Sequence, residues 1–330
     1  MNTFSRRLKC CVIAGTAGLF FCFGSLDAQA QCSVSRTPIS ASFGQVASFA
    51  VRTVLQSSST TNSGLSCRGA IVDQTTETAI NMTSSSENSG SLKNSAGDTI
   101  PYQIYADADA AIPINRGRVN WASGRLRSAL NNIFGGSSRS LPLFFRTVPG
   151  ANVTAGTYTD TIILNWDWNY CRSHSVLSLI GRVPCSSPEE GSGTSTIALT
   201  LVVTNDCAIA ARDISFGAAQ DPASFSPVTG GIGVTCTKGL TYTVGIGSGS
   251  FPAANGRRQM ASSGGGRLQY DIFSGGGATV WGRDTNRVNS VSAADGLSAQ
   301  QFPFRAAIYA DQDTPPVGTY TDSVVIDVRY

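Results

Sequence analysis

The chain has little of what most enzymes and nucleic-acid-binding proteins depend on. Its 330 residues include one histidine, and only 14% of them are charged. The formal net charge of +3 is too small to favour a polyelectrolyte partner such as a nucleic acid. A histidine-based catalytic site would have to use His174, and no Gly-x-Ser-x-Gly turn accompanies it. We therefore predict a protein that is not an enzyme, binds no nucleic acid and uses no metal or other cofactor.

Long apolar segments are missing after the amino terminus. Basic residues precede an apolar run over residues 11–23, and residues 28–30, Ala-Gln-Ala, have the pattern of a signal-peptidase site. No later stretch approaches the roughly 20 apolar residues that a membrane helix needs. We predict a signal peptide over residues 1–30 and a mature chain that begins at Gln31 in an oxidising compartment.

The cysteine count agrees with export. Of nine cysteines, three fall within the predicted signal peptide, which leaves an even number suited to disulfide bonds. The count alone leaves several pairings open. The remaining cysteines are Cys32, Cys67, Cys171, Cys185, Cys207 and Cys236.

The same landmarks occur twice in the same order, which indicates an internal repeat. In the first copy they are Cys32, Ser42-Phe43-Gly44, Cys67, Ile100–Tyr105, Trp121, Phe144-Phe145-Arg146 and Gly156–Asp160. In the second copy they are Cys207, Ser215-Phe216-Gly217, Cys236, Arg267–Phe273, Trp281, Phe304-Arg305 and Gly318–Asp322. The repeat predicts two homologous domains, over about residues 31–206 and 207–330.

The repeat also suggests a disulfide pairing. Equivalent positions pair Cys32 with Cys67 and Cys207 with Cys236, so Cys171 and Cys185 are left for a further bridge within the first domain. Each bridge should stabilise its domain by roughly 2–4 kcal/mol.

Short strands separated by turn residues dominate both copies. Residues 241–246 alternate between apolar and polar side chains, and so do residues 324–330. The one stretch with helical periodicity is Ser123–Phe134. We predict an all-β fold of two immunoglobulin-like antiparallel β-sandwiches.

The two copies differ in how they end. In the first, the strand after Gly156–Asp160 is followed by Thr194–Thr204, whose apolar side chains point one way and can close the sandwich. These side chains are Ile197, Leu199, Leu201 and Val203. Burying four such side chains contributes roughly 6–12 kcal/mol, comparable to the net stability of a domain at roughly 5–15 kcal/mol.

No corresponding segment follows Gly318–Asp322 in the second copy. We therefore expect the second domain to be incomplete and to accept a strand from another chain. The expected edge of the acceptor groove consists of Val324, Ile326, Val328 and Tyr330.

The second copy resembles the spore coat protein U domain, and the first resembles it more loosely. The residues that carry the resemblance are Cys207, Ser215-Phe216-Gly217, Cys236, Arg257-Arg258-Gln259-Met260, Leu268-Gln269-Tyr270, Trp281-Gly282, Gly318–Asp322 and Tyr330. The two-domain arrangement is similar to tip adhesins of archaic chaperone-usher pili. The resemblance implies a periplasmic chaperone that lends a strand, an outer-membrane usher, an adjacent pilin that donates a strand, and a cell-surface fibre that promotes attachment and biofilm formation.

Position within the fibre follows from the predicted maturation. Only Gln31 would remain before Cys32, so the chain could accept a strand but not donate one, which predicts a place at the pilus tip. Two alternatives stay open: an internal structural pilin, and a secreted carbohydrate-binding protein or hydrolase that uses the first domain.

Two segments are candidates for contact with an abiotic or host surface. The Cys171–Cys185 loop is predicted at the end of the first domain remote from Cys207, and the alternative is that its apolar residues pack into the core. Those residues are Val176, Leu177, Leu179 and Ile180. The second candidate lies in a stretch without acidic residues between Asp109 and Asp160, where the alternative is a solvated loop with an apolar stripe packed on the sheet. Its residues are Arg125, Arg127, Ile133 and Phe134.

Overall fold

A computed structural model describes residues 32–67, 79–114, 117–126, 141–171 and 188–330. Its regular structure is almost entirely β-strand, which confirms the all-β prediction. The strands up to residue 204 are β1 (Cys32–Val34), β2 (Ile39–Ala47), β3 (Ser57–Ser59), β4 (Leu65–Cys67), β5 (Ala79–Ser86), β6 (Ser91–Lys93), β7 (Thr99–Tyr105), β8 (Pro113–Ile114), β9 (Gly117–Asn120), β10 (Phe144–Thr147), β11 (Gly156–Cys171) and β12 (Pro188–Thr204). A short helix, α1 (Ser48–Thr53), follows β2.

The remaining strands begin at Cys207. They are β13 (Cys207–Ala210), β14 (Val228–Cys236), β15 (Thr243–Ile246), β16 (Arg258–Ala261), β17 (Arg267–Ser274), β18 (Val288–Asn289), β19 (Gln300–Ile308) and β20 (Ile326–Arg329). A single 3-10 turn covers Pro222–Ser224. None of the helices in the described part of the chain has the length and apolar character that a bilayer crossing requires.

Buried apolar side chains form two separate clusters. One is built from residues 32–203 and the other from the strands after Cys207. We call residues 32–204 the first sandwich and residues 207–330 the second sandwich. In strands such as β7, buried and exposed side chains alternate, as expected when one sheet face covers a core.

In the first sandwich, β11 is the central strand of one layer. It pairs with β12 along its whole length, and its other edge pairs with β5 and, at Thr159, with β6. The second layer contains β7, β10 and β3, and β6 joins the two layers through its ladder with β7. All ladders are antiparallel except that of β12 with β2, which is parallel.

The second sandwich has a five-stranded and a three-stranded sheet. Their orders are β13-β14-β19-β17-β16 and β18-β15-β20. The repeat is visible in equivalent hairpins: the turns over residues 94–98 and 262–266 have the same pattern of backbone hydrogen bonds. In both turns the fourth residue is a glycine with positive φ, Gly97 at 92° and Gly265 at 84°.

Each sandwich also contains a tyrosine corner, at the start of β11 in the first and in the segment before β20 in the second. The Tyr158 hydroxyl donates to the Thr154 carbonyl oxygen at 2.7 Å, and the Tyr320 hydroxyl donates to the Pro316 carbonyl oxygen at 2.5 Å. The two Gly-Thr-Tyr-Thr-Asp motifs therefore share the tyrosine corner, although the first lies within β11 and the second is irregular apart from a bridge at Thr321.

The two tryptophan landmarks are less equivalent than the sequence order suggests. Both Trp121 and Trp281 are fully buried. However, Trp121 follows β9 and its backbone N–H donates to Ile80 in β5, whereas Trp281 precedes β18 and its N–H donates to Ile272 in β17. The two indoles fill their cores from different segments.

Predicted strands lie in the right places with different bounds. The segment predicted over 194–204 belongs to β12, which begins at Pro188 because β11 continues beside it to Cys171. The strand predicted over 324–330 is only Ile326–Arg329, and the one predicted over 241–246 begins at Thr243.

The helical stretch predicted over Ser123–Phe134 lies mainly outside the described residues. Within the described part, the side chain of Leu126 is partly buried and packs against the first core, as the amphipathic pattern predicts for that position.

Candidate functional site

Strand β12 closes one edge of the first sandwich. It lies between β11 and β2, and its inward side chains are Ile197, Leu199, Leu201 and Val203, all at most 2% exposed. Across the ladder, Leu201 lies opposite Tyr158 and Leu199 opposite Asp160. The structure thus places all four predicted side chains in the core, and three of them, Leu199, Leu201 and Val203, beside the Gly-Thr-Tyr-Thr-Asp motif in the neighbouring strand.

The corresponding edge of the second sandwich is unpaired. Among the strands that the structure describes, β20 is the last of its sheet and pairs only with β15. Within residues 188–330, all of which the structure describes, no strand covers the other edge of β20 or of the preceding segment 318–325.

A groove follows this open edge. Two cavities of about 350 Å³ and 560 Å³ share Ile214, Phe216, Met260, Tyr320 and Thr321 in their walls, so they lie next to each other along this edge. We call the two together the acceptor groove. Residues 211–217 form one wall and residues 320–326 form the other. Its floor is apolar and includes Ile232, Ile246, Ile272 and Phe304.

Equivalent residues differ in burial between the two sandwiches. Tyr158 is fully buried under β12, whereas Tyr320 is only partly buried and lines the groove. Phe43 lies in β2 and is buried, whereas Phe216 lies in an irregular segment and is partly exposed. Without a central strand to pair with, residues 211–217 do not form the strand that β2 forms in the first sandwich.

The predicted groove edge is only partly brought together. Val324 and Ile326 line the acceptor groove, and Val328 packs against the second core. Tyr330 is 65% exposed and instead borders a shallow depression beside Thr241. The alternation of the sequence placed Tyr330 on the same face, but β20 ends at Arg329.

A buried ion pair lies close to the groove, where it binds the backbone of the groove residue Ile246, and sequence reasoning did not identify it. Arg258 Nη1 lies 2.7 Å from Asp271 Oδ1, and both side chains are 3% exposed. Arg258 also donates to the carbonyl oxygens of Gly247, Ile246 and Trp281. This set of partners satisfies a charge that would otherwise be costly to bury. The Arg257-Arg258-Gln259-Met260 segment, which carries part of the family resemblance, was the sequence feature that could have indicated this ion pair.

Two tyrosine hydroxyls complete this polar layer. Tyr309 donates to Asp271 Oδ2 at 2.8 Å, and burial together with this hydrogen bond raises the pKa of Tyr309 to about 12. Tyr270 donates to Asp322 Oδ2 at 2.7 Å, and burial followed by this bond raises the pKa of Tyr270 strongly. Both phenols therefore remain protonated donors at neutral pH.

Two predicted disulfides are present in the structure. Cys32 is bonded to Cys67 and Cys207 to Cys236. In each case the two cysteines are also register partners of paired strands. The predicted partner of Cys171, Cys185, lies outside the described residues.

The predicted surface contacts also fall largely outside the described residues. These are Val176, Leu177, Leu179, Ile180, Arg127, Ile133 and Phe134, together with His174. Arg125 is described and exposed. Among the other arginines of the acid-free stretch, Arg118 pairs with Asp167 at 2.7 Å, and the guanidinium of Arg146 lies over the Tyr105 ring. The described residues contain no group of three or more potential metal ligands.

The structure resembles a solved tip adhesin complex over most of its length. The crystal structure of the CsuC-CsuE chaperone-tip adhesion subunit pre-assembly complex from archaic chaperone-usher Csu pili of Acinetobacter baumannii matches with a TM-score of 0.61 and 26% identity, over 91% of this chain and 100% of that chain.

More distant matches have low scores. The CupB6 tip adhesin from Pseudomonas aeruginosa has a TM-score of 0.30 and 12% identity, over 91% of this chain and 93% of that chain. A chaperone-tip adhesin complex of CFA/I fimbriae biogenesis has a TM-score of 0.29 and 11% identity, over 79% of this chain and 78% of that chain. These TM-scores are too low to inform function. No curated protein matches the chain.

The family is identified from the sequence matches. The Spore Coat Protein U domain model matches residues 21–165 and again residues 193–327, which together cover most of the chain and follow the two sandwiches. The second match begins inside β12. The chain therefore belongs to the Spore Coat Protein U domain family, with two copies of the domain.

Proposed function

We propose that this protein is the tip adhesin subunit of an archaic chaperone-usher pilus. Residues 31–206 form the adhesin domain, and residues 207–330 form a pilin domain that accepts a donor strand, first from a periplasmic chaperone and then from the adjacent pilin after exchange at the usher. The fibre displays the first domain at the cell surface, where it mediates attachment and biofilm formation.

The acceptor groove is the observation that carries this proposal. Its two walls occupy the repeat positions of β2 and β11, the strands that β12 pairs with in the first sandwich, so a single extended strand is the ligand whose shape fits it. An unpaired strand edge beside an apolar groove is also the arrangement that β-augmentation completes. The likeness to a chaperone-tip adhesin complex at 26% identity supports a chaperone as one donor.

The family match supports the origin of β12. The second matched unit starts at residue 193, before Cys207, so the unit includes a segment that precedes its first cysteine. In this chain that segment is β12, and it closes the first sandwich. The first domain thus obtains its closing strand from within the chain, whereas the second domain obtains its closing strand from another protein.

The tip position rests on the predicted signal peptide over residues 1–30. Cleavage at the predicted site would leave only Gln31 before Cys32, which is too short to fill a neighbour's groove. A mature amino terminus more than ten residues upstream of Cys32 would instead favour an internal pilin. Mass spectrometry of the secreted protein distinguishes the two.

The adhesive surface is proposed at the far end of the β11–β12 hairpin. The two strands run side by side for roughly 50 Å, at about 3.3 Å per residue. At one end of the hairpin, Thr204 is followed by the linker to the second sandwich. At the other end, the Cys171–Cys185 loop lies in the chain between β11 and β12. An exposed apolar loop there would suit attachment to apolar surfaces.

A synthetic strand tests the acceptor groove directly. A peptide copying residues 193–206, added to the full chain, should bind and raise the melting temperature of the second sandwich by several degrees, since about 1 kcal/mol corresponds to roughly 2–8 °C over the usual range of domain sizes. A matched peptide with Leu199→Asp and Leu201→Asp should not bind, whereas one with the outward-facing Val202→Asp should. Equal effects of all three peptides, or of none, would contradict the proposal.

A further inference from the structure

The two sandwiches meet at a junction held by specific polar contacts. Only two residues, 205 and 206, separate β12 from β13. Thr237, in the second sandwich, is 1% exposed, and its hydroxyl oxygen accepts a 2.7 Å hydrogen bond from the Asp206 backbone N–H. The same oxygen lies 2.7 Å from Oγ of Ser48, the first residue of α1. One buried hydroxyl therefore contacts the linker and the first sandwich together.

The neighbouring residue makes the second contact. Lys238 Nζ lies 2.6 Å from Asp98 Oδ1, and the side chain of Asp98 is 15% exposed. The other carboxylate oxygen of Asp98 accepts from the backbone N–H and the hydroxyl of Thr154, at 2.8 Å and 2.9 Å. Thr154 is the carbonyl partner in the tyrosine corner of Tyr158. The lysine of one sandwich is thus bound to the corner of the other.

Further contacts lie to the side of these two. Arg52 Nη1 donates to the Gly296 carbonyl oxygen at 2.6 Å, and Asn152 Nδ2 donates to the Asp295 carbonyl oxygen at 2.8 Å. Contacts that come from several loops of each sandwich oppose rotation about the linker as well as bending, which a single contact would not do.

Comparison of the two copies indicates that the Lys238 site serves the junction. In the hairpin turn of the second sandwich, Gly266 occupies the position that Asp98 has in the first. In the tyrosine corner of the second sandwich, Pro316 occupies the position that Thr154 has in the first. Glycine has no carboxylate and proline has no N–H to orient one. The second sandwich therefore forms its hairpin and tyrosine corner without this acceptor, so these features alone do not require Asp98.

We propose that Thr237 and Lys238 form a latch that holds the two sandwiches as one rigid unit. The latch fixes the direction in which the far end of the first sandwich points relative to the second. Domains joined by a short linker otherwise move relative to each other unless their interface restrains them. The latch is an interaction surface within the chain, and it does not depend on what the acceptor groove binds.

Pulsed electron paramagnetic resonance on the full chain tests the latch. Spin labels attached through unnatural amino acids at Thr83 and Gln301, exposed positions on β5 and β19, leave the disulfides intact. The unchanged latch should give one narrow distance distribution. Lys238→Met removes the charge, and Thr237→Val removes the hydroxyl at nearly constant volume. The double variant with both substitutions should broaden the distance distribution roughly twofold or more.

A matched control separates the latch from a general loss of ion pairs. Arg118→Met removes an exposed ion pair of 2.7 Å with Asp167 inside the first sandwich, and it should leave the distribution narrow. Circular dichroism of each variant checks that both sandwiches remain folded. A broad distribution in the unchanged chain, or an equally narrow one in the folded double variant, would overturn the proposal.

Discussion

Tyr270 in β17 and Asp322 in the segment before β20 are joined at the acceptor groove by a 2.7 Å hydrogen bond from the phenol to Oδ2. Asp322 also accepts from the backbone N–H of Ser250 and lines the groove. The first sandwich has the same relationship between Tyr102 and Asp160, also at 2.7 Å. The groove wall is therefore fixed in place by a contact that persists without a covering strand.

Removing the Tyr270 hydroxyl should destabilise the second sandwich. Tyr270→Phe deletes a buried hydrogen bond to a carboxylate, and we expect the free energy of unfolding to fall by about 1.5–3 kcal/mol in urea titrations. Tyr102→Phe is the matched control, because Asp160 keeps donors from Ser86 and the backbone of Asn88. Tyr102→Phe should therefore lower the free energy of unfolding less than Tyr270→Phe does. A larger decrease for Tyr102→Phe would contradict this prediction.

Two adjacent arginines should differ greatly in importance. Arg258→Met leaves Asp271 buried with its charge unpaired, which should lower the free energy of unfolding by about 3–5 kcal/mol. Arg257→Met removes an ion pair with Asp311, whose side chain is 65% exposed, and should lower the free energy of unfolding far less, because solvent screens this pair. Chemical denaturation measures both. Similar values for the two variants would show that the buried pair does not support the core.

The two faces of β12 should respond differently to truncation. Leu199→Ala creates a cavity in the first core and should destabilise it by about 2–5 kcal/mol. Val202→Ala, on the outward face and 37% exposed, should change stability by less than about 0.5 kcal/mol. Thermal unfolding of the full chain measures the difference. If both changes were nearly neutral, β12 would not be the strand that closes the first sandwich.

Acid should weaken the latch. Burial favours the protonated carboxyl, but hydrogen bonds from Lys238 and Thr154 outweigh it and lower the pKa of Asp98 from its ordinary value of 3.8. Because the folded-state pKa is the lower one, the stabilisation is complete above the unfolded-state pKa and is lost as pH falls through the folded-state value. The distance distribution should stay narrow from neutral pH to about pH 5 and broaden well below pH 4. In Lys238→Met, broadening should already be present at neutral pH.

Loss of the apolar loop side chains should abolish attachment without preventing assembly. Leu177→Ser, Leu179→Ser and Ile180→Ser together remove the apolar character of the Cys171–Cys185 loop. We expect fibres of normal number by electron microscopy and little adhesion to apolar surfaces. The companion change Arg125→Ser tests the second candidate. Undiminished adhesion in the loop variant would move the contact elsewhere in the first domain.

Local patterns predicted the parts of the fold that depend on short stretches of sequence. The cysteine spacing and repeated landmarks identified both described disulfides, and alternation identified the inward face of β12. The parallel ladder of β2 with β12 was not predicted, because the two strands are far apart in the sequence and the direction in which β2 runs beside β12 is set by the chain connections between them. The Lys238–Asp98 contact joins residues 140 positions apart, and no local pattern encodes it.

The two-residue connection after Thr204 decides how a tensile load would enter the first sandwich. Tension transmitted from Cys207 would act along the axis of β12, while the backbone bonds to β11 lie across that axis. Such a load shears the entire ladder at once instead of peeling it open bond by bond. The element that completes the core would thus also be its strongest mechanical attachment to whatever anchors the molecule.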